Sequence, residues 1–538
     1  MCSLLLRQPA YLLGLYALIA CGVAFCAVVY LVERFIVSVP YPDNIPLIRE
    51  APGAQRFSLR TRWAYYTDCK VLFKDAWDNY LKQGKPVVIP GMGFRKEVLL
   101  PPSMIRWVLV QPASRLNVPH AMAEMDQAKF TLGHDGPILD SWQGLLVKTE
   151  LNRVLEAICA SLNDELGRAF DKHFGDDEEN WVEFRLRETI SRAIAQANSR
   201  FTVGLPLCRD PEYLKTVLDI NDGLLANGGL ICGLPNVLQP LFGPIIGISL
   251  QQHISKVKRW LIPLWRERVA IARAEEKDDG NTNAPLDHVQ MMVKFALKER
   301  PEEINDHELI VRRICAQNFG AVHQTTLQVC NLLLDILGSD VEYDTINALR
   351  KESDTILGTE DDSDRSKGQW TKARVNSMIL ADSVSRETLR LHAFANRAMM
   401  RKVMVDGVTT PEGYNLPKGT LVSFLSYPVQ TDNDVYPDAL KYVPFRFVEK
   451  RDEGAPVTFV TTSSEYLPFG HGKHACPGRF LVDFELKMIV AHVLRNYDIK
   501  FPAEYEGKRP PNEWITEASF PPNGVRICVR KRKNHNDN

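Results

Sequence analysis

A glycine-rich turn around a single cysteine constrains this chain more than any other segment. Residues 469–480 run FGHGKHACPGRF and place Cys476 six residues after Gly470 and two before Gly478. Gly470 and Gly472 allow the backbone to take left-handed turns and to approach a flat ligand closely. Because helical spacing of apolar residues resumes at once, the pattern predicts a tight loop that presents one sulfur at the entrance to a helix.

The predicted position of Cys476 favours a reactive sulfur. The helix dipole and free N–H groups at a helix start stabilise a thiolate. A cysteine thiolate is a strong axial ligand for haem iron. The alternative is a buried, inert thiol in a turn, which is the commoner state of an isolated cysteine. The flanking glycines favour the interpretation of Cys476 as a ligand of haem iron.

The loop resembles the haem-binding signature of the cytochrome P450 family, F-G-x-G-x-[R/H]-x-C-x-G, at every fixed position. The resemblance implies haem b as cofactor, with Cys476 as the ligand of its metal. It also implies that Phe469, Gly470 and Gly478 belong to the haem-binding loop. His474 occupies the basic position, which in the family contacts a haem propionate.

Arg401, in the run MRKV, extends the resemblance, since such enzymes place an arginine here that binds a haem propionate. The alternative is an exposed arginine at a strand edge.

Residues 199–210 (SRFTVGLPLCRD) are similar to a segment of filamentous-fungal members that tailor terpenoids, polyketides and alkaloids.

A Glu-x-x-Arg motif at Glu387 and Arg390 lies upstream of the cysteine loop. Arg446 lies between this motif and the loop. Residues three apart share a helix face, so the two charges can meet. A solvated surface pair would be worth little. In the family, however, these three side chains form a buried network that supports the haem-side core.

Residues 311–337 have apolar side chains at helical spacing on more than one side, which predicts a long buried helix. It contains NFGAVHQTT at residues 318–326. In the family this helix crosses above the iron with the pattern [A/G]-G-x-[D/E]-T-[T/S]. A small residue there leaves room for dioxygen, while an acid and an alcohol relay protons.

The helix departs from that pattern where protons are delivered. His323 falls at the acid position, Gln324 at the first threonine position, and Thr325 beside it. Histidine titrates near neutral pH and can act as a proton donor. The alternative is a core histidine with its hydrogen bonds satisfied. The three residues are candidate catalytic residues. Their departure from the family pattern leaves the route of proton delivery open and does not affect the prediction of haem binding.

The expected fold is mainly α with small β-sheets, the cytochrome P450 fold, as a single large haem domain over residues 56–538. Strand patterns occur late, at residues 402–405, 420–425 and 525–529. Two polar, acidic stretches, 275–284 and 357–369, are expected to be surface loops.

The N-terminal segment, residues 1–34, is expected to anchor the domain in a membrane. Residues 11–32 carry no charge and, as a helix, span roughly 33 Å, about the thickness of a bilayer core. A cleaved signal peptide has a shorter apolar core. The proline-rich residues 35–55 are expected to form a stiff hinge. The resemblance implies the endoplasmic reticulum membrane, with the domain facing the cytosol, although the flanking charges barely bias orientation.

The composition indicates which partners to expect. The formal net charge of -1 indicates no general attraction to nucleic acid, and the eleven cysteines show no disulfide or zinc spacing. The chain also lacks a nucleotide-binding G-x-G-x-x-G or P-loop, so electrons must come from a partner. The resemblance implies a membrane-bound NADPH–cytochrome P450 reductase, for which the basic side chains near the thiolate are a candidate docking face: Lys473, Arg479, Lys487 and Arg495.

Three functions remain open from the sequence. The first is a monooxygenase that oxidises a hydrophobic small molecule of fungal secondary metabolism. The second is a related enzyme that desaturates, ring-expands or rearranges its substrate without inserting oxygen. The third is a non-catalytic haem-binding membrane protein. The sequence does not name the substrate.

Overall fold

The computed structural model describes residues 8–32, 44–275, 284–358, 370–448 and 457–533. Most of the described chain is helical, as expected from the sequence. Of the two predicted surface loops, residues 276–283 and 359–369 lie outside the described residues.

The described helices, in chain order, are α1 (Gln8–Val32), α2 (Leu59–Thr67), α3 (Cys69–Asn79), α4 (Ile105–Val110), α5 (Val118–Met125), α6 (Ala128–Thr131), α7 (Gly136–Leu139), α8 (Trp142–Thr149), α9 (Leu151–Phe174), α10 (Leu186–Thr202), α11 (Pro211–Gly233), α12 (Gln239–Ile246), α13 (Ile248–Glu275), α14 (His288–Glu299), α15 (His307–Asn318), α16 (Gln324–Tyr343), α17 (Thr345–Leu357), α18 (Lys372–Ser377), α19 (Ile379–His392), α20 (Tyr427–Gln430) and α21 (Arg479–Asn496). The described strands are β1 (Val87–Pro90), β2 (Lys96–Leu99), β3 (Leu116–Asn117), β4 (Val182–Arg185), β5 (Arg397–Val403), β6 (Val408–Thr409), β7 (Asn415–Leu416), β8 (Leu421–Leu425), β9 (Tyr497–Lys500), β10 (Glu513–Ile515), β11 (Ala518–Phe520) and β12 (Arg526–Lys531).

The strands form small sheets. The largest has the order β1-β2-β8-β5-β3, in which β2 and β8 are parallel and the other pairs antiparallel. A second sheet has the order β4-β12-β9, and β10-β11 and β6-β7 are hairpins. The three predicted strands correspond to β5, β8 and β12, although β5 begins five residues before the predicted start.

The predicted central helix is confirmed as α15 and α16, joined by a π-helical turn over Phe319–His323. Side chains on almost every side of α16 are buried, since it packs against α10, α17 and α19. A buried helix of this kind must be apolar around most of its circumference. It therefore forms the centre of the main helical core.

The predicted Glu387–Arg390–Arg446 network is confirmed. The Glu387 carboxylate lies 2.7 Å from Nε of Arg390 and 2.9 Å from Nε of Arg446, and neither Glu387 nor Arg390 is exposed. The backbone N–H of Val443 also donates to this carboxylate, at 3.0 Å. The network therefore ties α19 to the segment that precedes the cysteine loop.

The N-terminal helix α1 includes an apolar stretch, Gly14–Val32, with a mean hydropathy of 2.5, long enough to cross a membrane. The described part of the predicted hinge begins at residue 44, and Ile45, Leu47 and Ile48 are buried there. Val88 of β1 bonds to the backbone on both sides of Leu47, at 2.9 and 3.0 Å. Residues 45–48, which the sequence analysis assigned to the hinge, therefore belong to the folded domain, because apolar side chains pack there against the sheet.

Candidate functional site

The cysteine loop closes on itself through backbone hydrogen bonds. The N–H of Cys476 donates to the carbonyl oxygen of Phe469 at 2.8 Å, and the N–H of Gly470 donates to that of Leu467 at 2.8 Å. Gly470 and Gly472 have φ values of +66° and +70°, in the left-handed region that disfavours other residues. These bonds fix the sulfur at the end of a rigid turn.

The sulfur lies where the sequence predicted, three residues before α21 begins at Arg479. Burial raises the pKa of the Cys476 thiol, while hydrogen bonds from the backbone N–H groups of Gly478 and Arg479 act to lower it. A side chain at Gly478 would meet nothing within 4 Å. The loop thus offers a sulfur donor beside open space, with amide dipoles that favour its charged form.

Four basic side chains surround the approach to this loop, and we call them the cationic corner: Arg401, His474, Lys148 and Lys473. Arg401 is only 3% exposed, and burial lowers its pKa to about 10. Partial desolvation and then the charges of Arg401, Lys473 and Lys148 lower the pKa of His474 to about 4, so its imidazole is neutral at physiological pH and the positive charges of the corner are those of the other three side chains. Within the described chain, Arg401 forms no ion pair with an acid, and its Nη1 donates to the carbonyl oxygen of Met400.

A buried arginine without an anion is costly, so the cationic corner is suited to carboxylates from a ligand. Together with the Cys476 sulfur and the open space at Gly478, this donor set fits a haem. Its propionates would be held by Arg401 and His474, and its iron by the sulfur.

Replacing Arg401 with glutamine is expected to weaken haem retention by about 10–100-fold, the loss typical of one charge-assisted hydrogen-bond pair. Haem transfer to excess apomyoglobin measures this directly. Arg115, which is exposed, supplies a matched arginine-to-glutamine control. Equal retention by the Arg401 and Arg115 variants would contradict the assignment.

The π-helical turn gives the central helix a widened segment. The Nδ2 of Asn198 donates to the carbonyl oxygen of Ala321 at 3.4 Å, and Oγ1 of Thr326 donates to that of Val322 at 2.7 Å. Such turns leave backbone groups free and are frequent at functional sites. Gly320 and Gln324 are exposed although the residues around them on the helix are buried or half-buried, and a side chain at Gly320 would meet nothing within 4 Å. These two residues therefore border open space.

His323, the last residue of the π-helical turn, and Thr325, in the first turn of α16, are both buried. The His323 ring stacks on Phe319 and meets Phe394 edge to face, each at a centroid distance of 5.6 Å. Its Nε2 and the Oγ1 of Thr325 are buried without a hydrogen-bond partner. Burial, and then Arg187, lower the pKa of His323 to about 4, so its imidazole is neutral at physiological pH.

The segment from Phe394 to Arg401 connects the two halves of the site. Phe394 contacts His323 at the π-helical turn, and Arg401, seven residues later on β5, belongs to the cationic corner beside the cysteine loop. One continuous segment therefore links the ring contacts of His323 to the cationic corner beside the cysteine loop.

A second buried histidine makes the pH dependence of stability testable. Burial lowers the pKa of His288 to about 4, whereas an unfolded chain has about 6.5. Between these values the unfolded chain binds a proton that the folded chain does not, so this contribution to stability is lost as pH falls from 6.5 towards 4. Replacing His288 with phenylalanine should reduce the slope of unfolding free energy against pH by about 1.4 kcal/mol per pH unit. Urea unfolding between pH 4.5 and 6.5 tests this, and a slope in the phenylalanine variant equal to that of the wild type would contradict it.

The predicted docking face needs one correction. Lys487 is 2% exposed and forms ion pairs with Asp382 and Asp483, both at 2.8 Å. It lies on the face of α21 that packs into the core, so it cannot contact a partner. Arg495 bonds to Asp354 at 3.0 Å, while Lys473 is exposed.

Several site residues escaped sequence reasoning. Lys148 reaches the cysteine loop from α8 and donates to the carbonyl oxygen of Lys473 at 3.1 Å. Asn198 supports the π-helical turn, and Phe394 and Phe520 extend the ring contacts of His323. No local pattern marks these residues, because their roles depend on contacts between distant segments.

The chain is similar to known cytochrome P450 proteins over most of its length. The model of the family described as Cytochrome P450 matches residues 63–529. Cytochrome P450 monooxygenase pbrC of Penicillium brasilianum is 46% identical over 94% of this chain and 94% of its own. The monooxygenase astC of Aspergillus terreus is 45% identical over 97% of each chain. The monooxygenase tenB of Beauveria bassiana is 40% identical over 97% of this chain and 98% of its own.

Proposed function

Because the chain belongs to the cytochrome P450 family of monooxygenases, we propose that it oxidises a hydrophobic small molecule of fungal secondary metabolism, most simply by hydroxylation. Dioxygen would supply the oxygen atom, and a separate NADPH-dependent reductase the electrons. Terpenoids, polyketides and alkaloids are the substrate classes to test. The relatives in Penicillium, Aspergillus and Beauveria support a fungal metabolic role.

The observation that carries this proposal is the Cys476 sulfur at the entrance to α21, with two backbone N–H groups donating to it. A haem bound there would supply the dioxygen-activating chemistry, and the protein supplies the thiolate, the seat and the orientation. Arg401 and His474 of the cationic corner would bind the propionates and so would orient the ring. Gly470 takes the left-handed conformation that closes the loop, the carbonyl oxygen of Phe469 accepts from the N–H of Cys476, and Gly478 leaves open space that the ring would need.

The residues in and just after the π-helical turn suit the side of the site at which dioxygen would bind. Gly320 leaves open space, and Gln324 can offer a hydrogen bond there but cannot titrate near neutral pH. His323 Nε2 and Thr325 Oγ1 have unused hydrogen-bonding capacity. We assign His323 and Thr325 to passing protons by hydrogen bonding, with His323 acting as neutral imidazole, and Gln324 to offering a hydrogen bond beside the open space.

Membrane attachment through α1, in the endoplasmic reticulum with the domain facing the cytosol, is part of the proposal. Tyr30, near the end of α1, contacts Phe94 at a centroid distance of 5.7 Å. Close to Phe94, the helix α2 exposes Leu59 and Trp63, which are 78% and 69% exposed. Exposed apolar side chains beside an anchor suit the membrane interface.

The reductase is proposed to dock at the surface of the cationic corner. Lys473 and Lys148 are exposed there, and Arg479 borders the sulfur. Complementary charge mainly raises the rate of association and weakens with added salt.

Reconstitution of the full chain in lipid vesicles with an NADPH–cytochrome P450 reductase tests the proposed function. Spectral screening of fungal terpenoids, polyketides and alkaloids identifies a substrate, and isotopically labelled dioxygen follows the oxygen. Monooxygenation predicts one labelled atom in the product and NADPH consumption that requires the reductase. An unlabelled product would show desaturation or rearrangement instead. No reductase-dependent NADPH consumption with any substrate would contradict an enzyme role.

A further inference from the structure

The C-terminal hairpin β10–β11 is attached along the segment that precedes β5. Ala395 and Ala518 form a β-bridge, and the N–H of Ser519 donates to the carbonyl oxygen of Phe394 at 2.9 Å. The Nδ2 of Asn396 donates to the carbonyl oxygen of Glu517 at 2.8 Å. The hairpin has only three residue pairs. Because so short a hairpin is not stable alone, these attachments determine where it lies.

A buried arginine adds a charged attachment at the turn of the hairpin. Arg397 of β5 is 4% exposed and pairs with two acids from different elements. Its Nη1 contacts Glu97 of β2, and its Nη2 lies 2.7 and 2.8 Å from the two carboxylate oxygens of Glu517. The hydroxyl of Tyr65 also donates to Glu517, at 2.9 Å. Glu97 thus ties the Arg397 side chain to β2 of the same sheet, and Glu517 ties it to the hairpin.

The hairpin carries a ring into the candidate site. Phe520 of β11 meets Phe394 edge to face at a centroid distance of 5.2 Å. Phe394 in turn meets His323 of the π-helical turn at 5.6 Å. Phe520 and Phe394 are each only half-buried. The position of the hairpin therefore determines how closely this row of rings packs against His323 at the π-helical turn.

We propose that Glu517 is a positioning residue: its ion pair with Arg397 holds the β10–β11 hairpin so that Phe520 and Phe394 form a fixed aromatic wall for the substrate. This rests on the proposed function, because the wall matters only if the space beside it receives a substrate. The wall favours flat, apolar ligands, since rings gain most from ordered edge-to-face and offset contacts. Loss of the Glu517 charge would leave Arg397 paired with Glu97 and the hairpin held only by Asn396 and the backbone attachments to the segment before β5.

The test compares Glu517→Gln with Glu97→Gln, two changes that remove one acid each from the same arginine. Spectral titration of the full-length holoenzyme gives dissociation constants for phenylimidazole and imidazole, which both coordinate haem iron. Of the two, only phenylimidazole carries a second, apolar ring for the proposed wall to contact. The ratio of the two constants therefore reports the wall and cancels effects on the iron itself.

Glu517→Gln is expected to raise the phenylimidazole-to-imidazole ratio by more than about threefold, which corresponds to a modest packing energy. Glu97→Gln is expected to leave it nearer the wild-type value. A rise of less than about threefold in the ratio for Glu517→Gln, or an equal rise in both variants, would overturn the proposal. If Glu517→Gln fails to bind haem, Tyr65→Phe removes one hydrogen bond to the same carboxylate and is judged by the same ratio against wild type. A wild-type chain that binds no haem would instead contradict the proposed function.

Discussion

Replacing Glu387 with glutamine is expected to lower the free energy of unfolding by about 3–5 kcal/mol, the cost of leaving a buried charge without its partner. Its carboxylate is fully buried and accepts from both Arg390 and Arg446. Both guanidiniums would lose their shared anion, while the shape of the side chain would stay the same. Denaturant unfolding of the haem-loaded protein measures the change, and a lower yield of haem-loaded protein should accompany it.

The control for Glu387 is Glu342→Gln. Glu342 pairs with Lys441 on the surface, where its side chain is 58% exposed. Exposed pairs contribute little to stability because water and salt screen them. Equal losses in the two variants would contradict the view that the buried network supports the core.

Replacing Cys476 with serine is expected to reduce turnover by more than about 100-fold, beyond the 10–100-fold loss typical when an outer partner of a metal ligand is removed. A serine hydroxyl is a poor substitute for the thiolate donor at haem iron. The measurement is product formation per haem in the reconstituted system with reductase and NADPH. Normalising to haem separates loss of chemistry from loss of cofactor.

Cys528→Ser is the matched control for this experiment. Cys528 is buried on β12, and its sulfur lies 3.8 Å from a carboxylate oxygen of Glu183. It is outside the cysteine loop, so turnover per haem should stay close to that of the wild type. Near-normal turnover by the Cys476 variant would contradict the assignment of the axial ligand.

The features that could be predicted from the sequence are those that depend on residues close together in the chain. The cysteine loop depends on residues within one short stretch, and its left-handed glycines and following helix lie where predicted. The buried central helix also has a local signal, because apolar residues recur around its circumference. The Glu387–Arg390 pair is likewise local, three residues apart on one helix.

Long-range contacts explain what the sequence could not predict. Arg397 and Glu97 are 300 residues apart, so no spacing pattern links them. Lys487 was predicted to be on the surface because lysines usually are, yet two acids compensate for its burial. The π-helical turn depends on partners such as Asn198 on another helix, which a periodicity argument cannot detect.

The absorption spectrum of the reduced, carbon-monoxide-bound protein tests the central claim most directly, because its position reports the ligand on the opposite side of the iron. A thiolate from Cys476 predicts the strongly red-shifted band typical of a cysteine-ligated haem. This band should be lost in the Cys476→Ser variant and kept in Cys528→Ser. A haem-loaded wild-type protein with the band of a histidine-ligated haem, or a Cys476→Ser variant that keeps the thiolate band, would contradict the claim.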